Sequence, residues 1–169
     1  MVCNAMKINF ESAEIIDAEI LTKISIDAFH TDFIVAGRKS IGGPPGYDSI
    51  EFHEQMIKDS FRFYKIKCNN EIIGGFWFVK ENEENAYLYR IFIDPNFHNR
   101  NVGAQAFDFL FRSFPNIKTW TLKVPIWNSR TPNFYKKIGF EIKEMSDKFI
   151  FFIKEIGLNK NNNGFHRKA

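Results

Sequence analysis

The sequence predicts a mixed α/β domain built on a mostly antiparallel central sheet, and three observations carry that prediction. Residues 61–94 contain three strand-like runs, rich in β-branched and aromatic residues and separated by breaks of only a few residues. Two stretches, 12–29 and 102–114, place apolar residues at helical spacing. The chain has 169 residues, 44% of them apolar and 25% charged, the size and composition of one domain with its own core. At this length roughly 70% of the unfolded surface is buried without staples.

Residues 7–10 form a short first strand. From Ser12, a candidate N-cap with Glu14 in the first turn, Ile16, Ile20, Ile24 and Ala28 recur every four residues beside Leu21. That spacing predicts an amphipathic helix to about Phe29. Gly37, Gly42, Gly43, Pro44, Pro45 and Gly46 then make an unusually long loop ending near Asp48 or Ser49. Loops of this length inside a compact domain tend to serve as walls or lids of functional sites. A short helix follows at 50–59.

Strands at 61–68, 72–80 and 86–94 have short connections, Asn69–Asn70 and 81–85, so they form an antiparallel meander. Asp94–Pro95 stops the third strand. The helix at 102–114 carries Gln105, Asp108 and Arg112 as one polar stripe and is otherwise apolar, which predicts near-complete burial. Residues 118–124 form a strand. Pro132 suits the first turn of a further helix, with Thr131 as candidate N-cap and Gly139 at its C-terminal end. Residues 141–145 and 148–155 close the domain as a hairpin. The domain is expected to span 1–156, with 157–169 a polar, Asn-rich tail that lacks the apolar surface to order itself.

Charge and composition exclude several functions. The net charge of +3 is too small to argue for nucleic acid. No apolar run approaches the roughly 18 residues that cross a bilayer, so no membrane partner is expected. Glu11, Glu14, Asp17 and Glu19 interrupt the region where a signal peptide would need apolar residues. Cys3 and Cys68 make no disulfide framework, and a reduced, cytoplasmic setting is expected. Phe is over-used, with 20 copies, and together with the many Ile, Lys and Asn this is as consistent with genome composition as with function.

The stretch that carries chemistry is YLYRIFIDPNFHNRNVGAQA, residues 87–106. A strand runs into a tight loop that opens a buried helix, and backbone N–H groups at such a junction favour phosphate oxygens. Gly103 admits close approach to the main chain, and Arg100 adds a positive charge. Neither a G-x-x-x-x-G-K-[ST] nor a G-x-G-x-x-G motif is present, which argues against P-loop and dinucleotide sites. About 25 residues further on (roughly one helix–strand unit), residues 128–140 read NSRTPNFYKKIGF.

With both stretches and the order of elements together, the chain resembles the GNAT superfamily of acyl-CoA-dependent N-acyltransferases. His98, Asn99, Arg100, Asn101, Val102 and Gly103 align with the family's Q/R-x-x-G-x-G/A pyrophosphate loop. Asn128, Tyr135, Gly139 and Phe140 match its later N-x-x-A-x-x-x-Y-x-x-x-G-F motif. The sequence departs at His98, where Gln or Arg is usual, at Asn101 for the first Gly, and at Thr131 for Ala. Asn tolerates positive φ better than other non-Gly residues, so Asn101 still suits a left-handed turn.

The resemblance implies splayed central strands with flanking helices and a site for acetyl-CoA. It implies that the free edge of Ile91, Phe92 and Ile93 pairs with the pantetheine arm, that the 98–104 loop through Ala104 holds the pyrophosphate, and that the Asn128 amide bonds the pantetheine region. Tyr135 would direct its hydroxyl to the thioester sulfur as general acid. The acceptor is an amine of a small molecule or peptide, attacking the thioester directly. Many members carry a Glu near the position of Tyr89, which is a poor base at neutral pH, so the base is open among His30, Asp32, Asp48, His53 and a water chain. The loop from Ile41 to Asp48, and Tyr47 above all, is expected to line the acceptor pocket beside His30 and Asp32. Alternatives are a catalytically weak acyl-CoA-binding regulatory module and a domain that keeps only the fold. A monomer or homodimer fits equally.

Overall fold

The computed structural model describes residues 5–157, and the polar tail expected at 157–169 lies almost wholly outside the described residues. Its strands are β1 (Ile8–Ser12), β2 (Arg62–Cys68), β3 (Glu71–Lys80), β4 (Asn85–Ile93), β5 (Thr119–Pro125), β6 (Glu141–Met145) and β7 (Phe149–Glu155). The helices are α1 (Ala18–Val35), α2 (Ile50–Asp59), α3 (Val102–Ser113) and α4 (Pro132–Ile138). All seven strands join one sheet in the order β1-β2-β3-β4-β5-β7-β6. Every neighbouring pair is antiparallel except β4 with β5. This is the mixed, mostly antiparallel architecture that the sequence predicts.

The meander follows from its turns. Asn69 and Asn70 both take positive φ, 48° and 75°, which gives the two-residue link whose twist matches the flanking strands. Leu21, Ile24 and Ala28 of α1 and partly buried side chains of α2 pack on one sheet face, against Phe63, Trp77 and Phe92. The other face carries the larger core, with α3 supplying Val102, Ala106, Phe107 and Leu110 and α4 supplying Tyr135. The sheet is therefore covered on both sides, and the alternation of its strands reads through as apolar on both faces.

Three expectations need correction. Ser12 is no helix cap: it is the last residue of β1 and pairs with Tyr64. A 3-10 turn at Ile15–Asp17 precedes α1, and the Asp17 carboxylate accepts from the Glu14 N–H at 2.8 Å and from Lys65 Nζ at 2.8 Å. Ile16 and Ile20 do not lie on the buried face, being 84% and 40% exposed. A spacing of four residues drifts by about 40° per step on a helix of 3.6 residues per turn, so a row of four cannot stay on one face. Finally, α1 runs on to Val35 instead of stopping near Phe29. Tertiary partners of Asp32 and Phe33, described below, hold the added turns.

Phe107 is 1% exposed and meets the rings of Phe111, Phe134, Tyr135 and Phe140 at centroid distances of 5.5–6.0 Å. Phe107→Ala removes the centre of that cluster and is expected to lower stability by about 3–5 kcal/mol. Urea denaturation followed by circular dichroism measures it, and a loss below about 1 kcal/mol would show that the cluster collapses freely around the gap.

Candidate active site

The site begins where β4 and β5 part. Their parallel pairing covers only Asn85 with Thr119, Ala86 with Trp120 and Tyr87 with Thr121, although both strands continue beyond it. The β5-facing edge of β4 from Leu88 onward therefore has no ladder partner. The register of β4 against β3 also shifts here, from Trp77 opposite Arg90 to Phe78 opposite Leu88, which leaves Tyr89 as the extra residue of a bulge. A bulge re-aims the side chains after it. Leu88 belongs to the larger core, whereas Arg90 lies over Trp77 with the α1–α2 side.

A cavity of about 880 Å³ opens along this gap, lined by β4 from Tyr87 to Ile91, by β5 from Leu122 onward, by the end of α1, and by the Gly43–Pro45 segment. Four of the sequence-predicted residues meet its wall: Asp32, Ile91, Asn128 and Tyr135. Asp32 is the hub of a buried polar cluster. Its carboxylate accepts from Arg130 Nε at 2.6 Å and from Asn128 Nδ2 at 3.2 Å. Asn128 Oδ1 in turn accepts from the N–H groups of Arg130 and Thr131, at 3.0 and 3.2 Å. The cap of α4 is thus supplied by Asn128; Thr131 stands at the capping position, but its side chain makes no capping bond. One N–H of the Asn128 amide remains for a ligand.

Tyr135 is buried, and among the described residues its hydroxyl has no hydrogen-bond partner. Burial pushes its pKa well above 10, a shift the Arg130 charge opposes and Asp32 reinforces. The hydroxyl is therefore a proton donor throughout the neutral range.

The loop before α3 has the expected left-handed turn. Asn101 takes φ 64° and Asn99 φ 59°, and Asn101 immediately precedes the first turn of α3. His98 differs from expectation: its Nε2–H donates to the Ile93 carbonyl at 2.8 Å, so it ties the loop to the end of β4. Burial holds its pKa below 6.5, and the charge of Arg130 lowers it further. Gly103 also differs. A Cβ there would stand 2.7 Å from Phe134 Cζ, so this glycine lets α3 approach α4 closely. Arg100 is exposed and lies over the Phe97 ring.

The remaining candidates divide. Phe92 faces the small core, and Ile93 packs against the large one. Tyr47 does not reach the cavity wall; its hydroxyl is 3.0 Å from His30 Nε2 and its ring covers Gly43. The expected loop does line the cavity, but through Gly43, Pro44 and Pro45. Asp48 is exposed, and neither it nor His30 lines the cavity. His53 is fully buried, with Nδ1–H donating to the Ser49 carbonyl at 2.8 Å and Nε2 unpartnered among the described residues. Sequence reasoning missed Arg90 and Arg130. The signal for Arg90 was a lone charge inside an apolar strand; for Arg130 it was a cation two residues after Asn128.

The fold and these features match known proteins. Residues 27–140, well over half of the chain, match the model of the Acetyltransferase (GNAT) family, and the chain belongs to that family. A curated relative, an uncharacterized N-acetyltransferase of Methanocaldococcus jannaschii, is 28% identical over 112 residues, 60% of this chain and 48% of the relative. The chain thus matches about half the length of that protein. PaiA N-acetyltransferase from Thermoplasma acidophilum, solved with coenzyme A, superposes with a TM-score of 0.72 at 19% identity, over 89% of this chain and 99% of that one. An acetyltransferase from Thermus thermophilus gives 0.74 at 16% identity, covering 89% and 97% of the two chains.

Two outcomes are expected. Asp32→Asn removes the charge that pairs with Arg130, and because Arg130 is partly exposed the loss is about 1–2 kcal/mol. Thermal melts at low and high salt check it: the variant should lie below the parent at both, with the difference smaller at high salt. His53 has its pKa lowered from 6.5 by burial, against the Ser49 bond and with help from the Arg90 charge. The unfolded chain then binds the proton more readily, so stability falls as pH drops below about 6.5. The loss of Tm between pH 7 and pH 5 should shrink in His53→Gln.

Proposed function

We propose that this chain transfers an acetyl group from acetyl-CoA to an amine, and that residues 1–156 form the acyltransferase domain. The observation that carries the proposal is the parting of β4 and β5. It supplies an unpaired strand edge for an extended amide-bearing arm and a cavity at the same place, next to the loop that opens α3. The pieces present fit acetyl-CoA. Ile91 and Ile93 offer main-chain groups to pantetheine, the 99–104 amides offer donors to pyrophosphate, and Arg100 offers charge. The Asn128 amide has one N–H free to bond the pantetheine region.

In the reaction a neutral amine forms the new C–N bond at the thioester carbonyl while the C–S bond breaks. Tyr135 gives its proton to the leaving sulfur, and the amine's surplus proton leaves to solvent or to a base. Asp32 is already committed to Arg130 and Asn128, which argues for it as a positioning residue. It holds Asn128, and through Asn128 the first turn of α4, on which Tyr135 sits. Competing readings as a mere binding module or scaffold give no role to the unbonded hydroxyl of the expected proton donor on the cavity wall.

Tyr135→Phe keeps the ring among Phe107, Phe134, Phe140 and Phe152 and deletes only the proton donor. It should lower kcat roughly 10- to 1000-fold with little change in the acetyl-CoA KM or in Tm. An unchanged kcat, with chemistry limiting, would reduce Tyr135 to packing. Gly103 is a poor probe of the loop because its substitution disturbs Phe134. Asn101→Val disfavours the left-handed turn instead and should weaken CoA binding by about tenfold in calorimetry, in a folded variant.

A further inference from the structure

We propose that the amine acceptor carries a carboxylate, and that Arg90 receives it; this rests on the acetyl-transfer reading and specifies its substrate class. Arg90 is 9% exposed and lines the cavity. Its Nη2 donates to the Pro45 carbonyl, while Nη1 is buried and has no partner among the described residues. Its guanidinium lies over the rings of Phe52, Trp77 and Tyr89 at 5.1, 5.5 and 5.7 Å.

What is missing around it is a counter-charge. The ionisable groups that act on Arg90 are Tyr89 and Tyr87, and Tyr87 is neutral because burial pushes its pKa up to about 12. Burial lowers the pKa of Arg90 to about 10, so it is still a cation at neutral pH. A buried, uncompensated charge is costly, and chains seldom retain one without a partner. The other carboxylates of the cavity do not fill the role. Asp32 is engaged by Arg130, and across the whole wall four cationic side chains face two carboxylates, Asp32 and Asp147.

The bulge at Tyr89 places this cation on the face that α1, α2 and the Gly43–Pro45 segment cover, within the part of the cavity that those elements wall. An anion there completes the guanidinium, which has five N–H donors and uses only part of them. A single guanidinium edge suits one planar carboxylate, and the surrounding Phe29, Phe33, Phe52 and Trp127 suit an apolar body between that carboxylate and the amine.

Matched pairs of acceptors test the inference: amino acids and dipeptides as free carboxylates, and the same compounds as carboxamides, assayed by CoA release with saturating acetyl-CoA. The parent enzyme should favour the carboxylate member by roughly 10- to 100-fold in kcat/KM. Arg90→Gln, which can still bond the Pro45 carbonyl, should abolish that preference while changing the carboxamide rate and the acetyl-CoA KM little. Arg90→Lys should restore part of the preference, since it keeps the charge without the planar fork. Equal use of both members by the parent overturns the carboxylate and leaves acetyl transfer standing. A preference that survives in Arg90→Gln overturns the assignment to Arg90. Turnover of neither member, in protein that binds CoA, overturns the acceptor reading and this inference together.

Discussion

The early end of the β4–β5 pairing is the constraint on which the rest depends. After Tyr87 and Thr121 the two strands no longer share hydrogen bonds, and a sheet that is continuous everywhere else opens in its middle. Backbone groups in the centre of a domain rarely go unpaired, because each costs free energy comparable to a lost hydrogen bond. The opening is tolerable because it faces a cavity and not a packed core. The bulge at Tyr89 belongs to the same deformation, and it changes which face the following side chains reach. Without it, alternation would carry Arg90 to the side of Leu88, into the larger core.

Around the opening, polar groups are arranged in two different ways. Asp32, Asn128 and Arg130 satisfy one another and join the last turns of α1 to the first turn of α4, segments nearly a hundred residues apart (Asn128 to Asp32 spans 96 positions). The cross-link fixes the backbone that carries Tyr135. Phe33 adds an edge contact to Trp127 at 4.5 Å, and Arg38 lies over the same indole at 4.7 Å. Arg90 and the Tyr135 hydroxyl, in contrast, are buried and incompletely bonded. Satisfied groups build the frame, and unsatisfied groups face the space where ligands go.

Much of the fold was legible because it rests on local signals. The Asn69–Asn70 turn, the Pro132 start and Gly139 end of α4, and the Ser49 cap of α2, whose hydroxyl accepts from the Phe52 N–H at 3.1 Å, are all written in neighbouring residues. Where the expectation failed, the deciding partner was remote. Ser12 reads as a cap until Tyr64 claims it for the sheet. The end of α1 reads as loop until Asn128 and Arg130 hold Asp32. Gly103 reads as room for a ligand until Phe134 is seen against it.

The same division runs through the site. The sequence by itself determined the family, the order of elements, the left-handed turn before α3, and the identity of Asn128 and Tyr135 as its two most informative side chains. Those depend on spacing along the chain and on the backbone preferences of individual residues. The tertiary structure alone decided that Asn128 serves as the cap of α4, that His98 bonds the strand before it, that Tyr47 is turned onto His30, and that Arg90 stands buried without a counter-charge. Each of these depends on which distant groups come to share a low-dielectric space. Strand parity is the physical reason they could not be read in advance: one extra residue at Tyr89 reverses the face of everything beyond it, and no local preference records on which residue the bulge will fall.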